Sequence, residues 1–566
     1  MAVDLFSDVL KLVDGLRGFE LVASLARFHR VQGGDDIVVA VEHVGQVLEE
    51  LGVEVRLEVF RGPLGLGEFW GFGEPRGWRL GGGRVEVWED VGGWKTVASV
   101  EDTPLTVVVH SPPGSVEERV RLAAEPADAG EDDIVVSPEF DAYKYYRFAE
   151  RGVTGIIGTH RGPGVRYWGL FPAFFIEEPR VPAVSLEYNT AMNLVGKRVR
   201  ITVESEYHGF PSTPILVARV GPEGAPCIAL YAHACHPRPG AHDNASGVAV
   251  LVEALYALKE LLGRDSWFSV CGIVVPEYTG SMAVFAQHIV DPQEVVAAVS
   301  VDMVAADLAA TGGSLHLVAS PLPLASPLDP LLDVFLGHVE GYAGFEFYSV
   351  GSDHDVTISL GIPGSMVNEW PDRYYHTSLD EPGNLSAERL RATAAAIAAA
   401  VAALARLGPE KAAKLAGLWA RHQASKLSAR AYAGEPLDMT AAAELEKLAV
   451  EHASTRIKAL ASGGQPEPPW PFEFELSLRA PMSKLYLYAH RHVEAYRELL
   501  KALEDDREKV LQRLLVLGSG TASRRVVELY ARGVLGLKHA EKKADLVVKA
   551  LTAKPQQRAA SGKHEG

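Results

Sequence analysis

The sequence predicts an α/β fold: a mostly parallel, mixed sheet with helices on both faces, carrying a β-rich insert and a helical C-terminal region. Three observations predict it. From Pro214, short apolar runs alternate with segments of helical periodicity, and that alternation implies a parallel sheet covered on both sides. Residues 61–212 read instead as short strands among Gly- and Trp-rich stretches. Residues 409–552 are rich in Ala, Leu, Glu, Lys and Arg, as helices are.

The elements follow in order. Asp35 to Leu51 places Val41, Val44, Val47, Leu48 and Leu51 at helical spacing, and Gly52 ends the helix. Val53, Val55, Leu57 and Val59 then alternate with charged residues, as in a half-buried strand. Residues 1–60 are assigned to the start of the α/β domain. In the 61–212 region, Gly81-Gly82-Gly83 is read as a hairpin turn. Leu105–His110, Ile134–Ser137, Val153–Thr159 and Val181–Ser185 are read as strands, and Ala142–Arg151 and Thr190–Val195 as helices. In the 213–408 core, Ile228–Ala232, Trp267–Val275, Val295–Val301, Leu315–Ser320 and Ile362–Val367 are strand candidates. Ser246–Leu262 and Met282–Ile289 are helical, and Ser386 starts an alanine-rich helix with Glu388 in its first turn. A Pro-rich break at 465–471 interrupts the C-terminal helices, and the polar tail 553–566 is read as disordered.

Composition narrows the function. The chain has 566 residues, 55 basic and 73 acidic, for a net charge of −18, which disfavours nucleic acid as a partner. Cys227, Cys235 and Cys271 are too few for a disulfide framework. The N-terminus is acidic where a signal peptide is basic, and the apolar stretch Ala392–Ala405 is judged too short to span a bilayer. A cytoplasmic protein without membrane association is expected, and the C-terminal helices leave a homo-oligomer open. Asparagine occurs only at 189, 193, 244, 368 and 384, a scarcity that fits a heat-adapted protein.

The polar clusters of the core follow strand candidates, where open α/β sheets collect ligands. They are His233-Ala-Cys-His236-Pro, His242-Asp243-Asn244-Ala-Ser-Gly247, Pro276-Glu277-Tyr278-Thr-Gly-Ser281, Val301-Asp302-Met-Val304, Gly351-Ser-Asp353-His354-Asp355 and Asn368-Glu-Trp-Pro-Asp-Arg373-Tyr-Tyr-His376-Thr-Ser-Leu-Asp380. Imidazole with carboxylate suits zinc. Asp243 stands where one carboxylate could bridge two ions, and Glu277 is the candidate general base. Asp243 and Asn244 equally suit helix capping, and Cys235 suits a small buried apolar position.

The ordered set resembles the co-catalytic zinc aminopeptidases, a family that includes leucine aminopeptidases and glutaminyl cyclases. It is most similar to a prokaryotic branch with Cys-His-Pro and Pro-Glu-x-x-Gly-Ser motifs, here Cys235-His236-Pro237 and Pro276 to Ser281. Residues 104 to about 205 resemble, in pattern, a protease-associated domain. The resemblance implies zinc and a peptide substrate. Asp243 would bridge two ions, Asp302 would complete the first site with His236 or His233, and His376 would hold the second. Asp353, His354, Tyr278 and Tyr375 would contact substrate. Two departures stand out: Cys235 replaces the usual Asp after the first histidine, and Tyr278 stands where a second, ligating glutamate is common. One strong zinc site is therefore expected, with the second weak, completed by the spare histidine, or absent. The alternatives are a non-peptide amide hydrolase, a carboxypeptidase, or a degenerate peptidase fold used as a binding module.

Overall fold

The computed structural model describes all residues except 1, 71–72, 172–177, 465–466, 469, 471–472, 474–493, 506–507 and 554–566. The expected disordered tail therefore lies, beyond Ala553, outside the described residues.

Two helices, Ala2–Leu10 and Gly15–Leu25, precede the expected helix Asp36–Glu50. Strand β1 (Val55–Phe60) opens a large sheet. The chain then leaves it to form a second sheet from β2 (Gly77–Glu89), β3 (Gly93–Ser99), β4 (Gly114–Leu122), β5 (Ile134–Pro138), β6 (Gly155–Thr159), β7 (Ala183–Ser185) and β8 (Arg198–His208). It returns with β9 (Thr213–Val220), β10 (Cys227–His233), β11 (Ser269–Val275), β12 (Val295–Val301), β13 (Ser314–Val318), β14 (Tyr342–Glu346) and β15 (Gly364–Trp370). The large sheet has the order β1-β9-β11-β10-β12-β15-β13-β14, and the second has β3-β2-β8-β4-β5-β6-β7. In the large sheet, β11, β10, β12 and β15 are parallel neighbours, with antiparallel β9 and β13 on either side of them.

The parallel strands are apolar along their length because both faces are covered, and every residue of β10, β11 and β12 is buried. One face packs against Gly15–Leu25, Asp36–Glu50, Gly247–Leu261 and Ala387–Leu407. The other packs against Thr279–Ala286, His354–Ser359 and the C-terminal helices, with Ser519 Oγ donating to Ser359 O at 3.2 Å. The alanine-rich helix is longer than its apolar run suggests. At 21 residues it has the length and composition to cross a bilayer, yet it is a core helix packed under Gly247–Leu261. Ser386 caps it, accepting from Arg389 N at 3.3 Å.

Two local expectations are corrected. Gly81–Gly83 is not a turn: it lies inside β2, at a register shift opposite β8, and a Cβ on Gly83 would sit 2.3 Å from Val107 Cγ2. The turn falls later, where Gly92 and Gly93 take positive φ between β2 and β3. Leu105–His110 is not a regular strand either. Pro104–Thr106 makes one 3₁₀ turn, and Val107 and Val109 form only isolated bridges, to Val184 and Gly169.

Candidate metal centre

The polar clusters converge at the carboxyl ends of β10, β11, β12 and β15. His233 is the last residue of β10, and Glu277, Asp302 and His376 follow β11, β12 and β15. Asp243 lies in the turn that leads into Gly247–Leu261.

Asp243 faces two groups at once. Its Oδ1 is 3.5 Å from His233 Nε2, and that nitrogen is 3.4 Å from Asp302 Oδ1. Its Oδ2 is 3.0 Å from His376 Nε2 and 3.6 Å from His236 Nε2. The carboxylate of Glu277 joins the His233–Asp302 group. Donors bound at about 2.0 Å around a tetrahedral zinc are about 3.3 Å apart, so these separations suit a common cation.

Hydrogen bonds prepare the ligands. His233 Nδ1 lies 3.1 Å from Cys235 O, and His236 Nδ1 lies 2.7 Å from Pro237 O. A carbonyl only accepts, so each Nδ1 carries a proton, and each Nε2 is the atom turned to Asp243. His236 Nε2 and Asp302 Oδ1 are buried without a hydrogen-bond partner among the described residues. Orphaned acceptors of this kind fit a cation. Burial pushes His236 down to about 3, which keeps its ring neutral. Asp243 is buried too, yet the surrounding histidines, His236 foremost, hold its carboxyl below the usual range.

Glu277 sits at the rim of the cleft. Its N–H donates to Cys235 Sγ at 3.1 Å, and its carbonyl accepts from Gln32 Nε2 at 3.0 Å. Burial pushes its carboxyl well above the usual range. His233 opposes that rise, and the Asp353, Asp302 and Asp243 carboxylates add to it. A carboxyl raised in this way holds a proton more readily than a free one.

The cleft is lined by Val31, Gln32, Tyr167, Phe171, His233, Cys235, His236, Asp243, Glu277 and His376. Tyr167 packs its ring 5.0 Å from His236 and 4.8 Å from His376. Its loop pairs with the His376 loop, with Ser378 N donating to Val165 O at 2.8 Å and Tyr167 N donating to His376 O at 2.5 Å. The segment between β6 and β7 thus builds one wall of the centre.

Both histidines in question, His233 and His236, lie at the centre, in different halves. The four residues expected at substrate, Tyr278, Asp353, His354 and Tyr375, do not line this cleft. Tyr278 turns away, its hydroxyl donating to Asp355 Oδ2 at 3.1 Å. Asp353 Oδ1 accepts from Tyr278 N at 2.8 Å and Ser281 Oγ at 2.6 Å. The His354 ring bonds Ser349 O at 2.8 Å. Tyr375 stacks on His376 with ring centroids 3.7 Å apart. These residues brace the site from behind.

Sequence reading missed other supports. Asp380 accepts from His242 N at 2.7 Å and from Asp243 N at 3.1 Å, which holds the backbone of the bridging carboxylate. Arg30 is fully buried and donates to Ala234 O, Pro239 O and Gly240 O around the His236 loop. Gln32, Arg30 and Tyr167 are distant in sequence and carry no local motif. Asp380 lay within a cluster already singled out.

Residues 216–401 match peptidase family M28. No curated protein matches the chain. Among solved structures, BSAP, a zinc aminopeptidase from Bacillus subtilis, superposes with a TM-score of 0.53 at 15% identity, covering 69% of this chain and 94% of that one. A peptidase M28 precursor from Shewanella amazonensis gives 0.52 at 16% identity, covering 71% and 95%.

Proposed function

We propose that this protein is a zinc-dependent aminopeptidase, releasing N-terminal residues from peptides. The observation that carries the reading is the pair of donor groups on the two oxygens of Asp243, with Glu277 beside them at the cleft. His233, Asp243 and Asp302 would hold one zinc, and His236, His376 and Asp243 a second. When bound, zinc lowers the pKa of a water and polarises the scissile carbonyl. Glu277 accepts a proton from water in the cleft and passes it to the departing amine. Gln32 and Cys235 hold the Glu277 backbone in place for both transfers. The wall of Tyr167, Phe171 and Val31 closes the cleft on one side, which favours a chain end over the middle of a peptide.

The test is a panel of aminoacyl-anilides and short peptides, each with a free or a blocked amino terminus. Chelator-stripped protein should be inactive, zinc should restore it, and only free termini should be cleaved. Equal cleavage of blocked substrates would remove the aminopeptidase assignment and favour an amide hydrolase or an endopeptidase.

A further inference from the structure

The two halves of the centre offer different donors. On the Asp243 Oδ1 side, one imidazole, His233, faces the oxygens of Asp243 and Asp302, with the Glu277 carboxylate in the same group. On the Oδ2 side, two imidazoles, His236 and His376, face a single carboxylate oxygen. The described residues add no second carboxylate to that group.

The cause is local. Tyr278 directs its hydroxyl to Asp355, away from the centre. His236 is held at the Oδ2 side on three sides. Its N–H donates to Arg30 O at 2.9 Å, its Nδ1 meets Pro237 O at 2.7 Å, and Gly240 leaves it room. At φ +55, a Cβ on Gly240 would stand 2.4 Å from His236 Nδ1, so only glycine admits this ring position. The outcome is a buried, unpartnered Nε2 beside Asp243 Oδ2.

We propose that the two halves select different cations: the His236–His376–Asp243 half takes a borderline ion such as zinc and rejects hard ions such as manganese or magnesium, while the His233–Asp243–Asp302 half accepts either. Imidazole nitrogen suits zinc, cobalt and nickel, whereas hard ions prefer oxygen donors. Hard ions also give up water reluctantly. One shared carboxylate oxygen offers them little negative charge in return. The carboxylate-rich half carries enough oxygen and charge for both kinds. Where both ions are present, zinc holds the His236–His376–Asp243 half and, being bound more tightly, also competes for the other. This inference rests on the zinc reading above and goes further by assigning selectivity to each half.

The test counts metal rather than turnover. Chelator-stripped protein is equilibrated with zinc alone, manganese alone, or both, and bound metal per chain is measured by mass spectrometry. Manganese is also followed by electron paramagnetic resonance. Two zinc ions are expected with zinc alone, one magnetically isolated manganese with manganese alone, and at most one manganese, beside zinc, in the mixture. His236→Glu should gain a second, spin-coupled manganese. Two manganese ions of equal affinity in the unmodified protein would overturn the selectivity and leave the zinc reading standing. A folded His236→Glu protein with unchanged manganese binding would do the same. Failure to retain any metal would overturn both. The unmodified protein decides the matter even if the variant does not fold, and circular dichroism shows whether it does.

Discussion

Two buried histidines on either side of Asp243 have opposite fates. His236 presents a neutral ring whose Nε2 finds no hydrogen-bond partner and faces the cleft. His242 is closed in behind: its Nδ1 is 2.7 Å from Asp372 Oδ2, and its Nε2 is 3.4 Å from Glu369 Oε2. Burial alone would lower His242, but Asp372 and Glu369 carry it up to about 10, so it is an imidazolium at neutral pH. Glu369 is shared further, accepting from Ala306 N at 2.7 Å, Ala305 N at 3.1 Å and the Arg389 guanidinium. The same residue types at the same sheet edge thus make a reactive centre or a structural clamp. What separates them is Nδ1: in His242 it meets the Asp372 carboxylate, and in His236 only the Pro237 carbonyl.

The largest expected effect breaks the open side. Glu277→Gln keeps the shape of the side chain and its backbone bonds but removes the base. It should retain zinc and lose about 10²- to 10⁴-fold in kcat. A Gln variant with near-normal kcat would take Glu277 out of proton transfer.

Breaking the closed side should instead cost stability. Arg389→Met deprives the buried Glu369 of one cation and leaves its apolar surroundings filled. Removing one partner of a buried pair typically costs about 3–5 kcal/mol. The urea midpoint should fall accordingly while the zinc count stays unchanged. A stable variant that lost zinc would mean that the clamp belongs to the centre.

Much of this contrast was legible in the sequence. The residues that meet at Asp243 each follow an apolar strand run, so their gathering at one sheet edge follows from strand order and the parallel connections. The division of His233 and His236 between the two halves was not legible, because it depends on how the loop from Ala234 to Gly240 folds back against Arg30. The role of Tyr278 was hidden for a similar reason: its partner, Asp355, lies on another element. His242 shows the same limit more sharply. Its charge is set by Asp372, 130 positions away, and no spacing rule links the two. The Gly81–Gly83 run misled because three glycines suit both a tight turn and a crowded strand, and only the packing of Val107 decides between them.

A third histidine extends the comparison to the C-terminal helices. His452, on the helix Met439–Ala461, is buried with neither ring nitrogen bonded among the described residues, and its ring packs 4.8 Å from that of Trp470. Its charged neighbour is Arg456, itself buried, which donates to Val295 O at 2.8 Å. Burial first, then Arg456, pushes His452 down to about 3. The folded pKa thus lies below the unfolded value of about 6.5, so the stability that His452 contributes is complete above pH 6.5. It is lost as pH falls from 6.5 toward 3, where only the unfolded chain takes up the proton. At pH 5 the loss should be about 2 kcal/mol, smaller than the effect of Arg389→Met at neutral pH. His452→Phe keeps the stack on Trp470 and removes the titration. Urea midpoints measured from pH 7 to pH 5 should therefore fall less steeply in the variant than in the unmodified protein. Parallel slopes would mean that His452 gains a proton without unfolding, and the distinction between an imidazole buried for packing and one buried to face a cation would then fail on this side of the molecule.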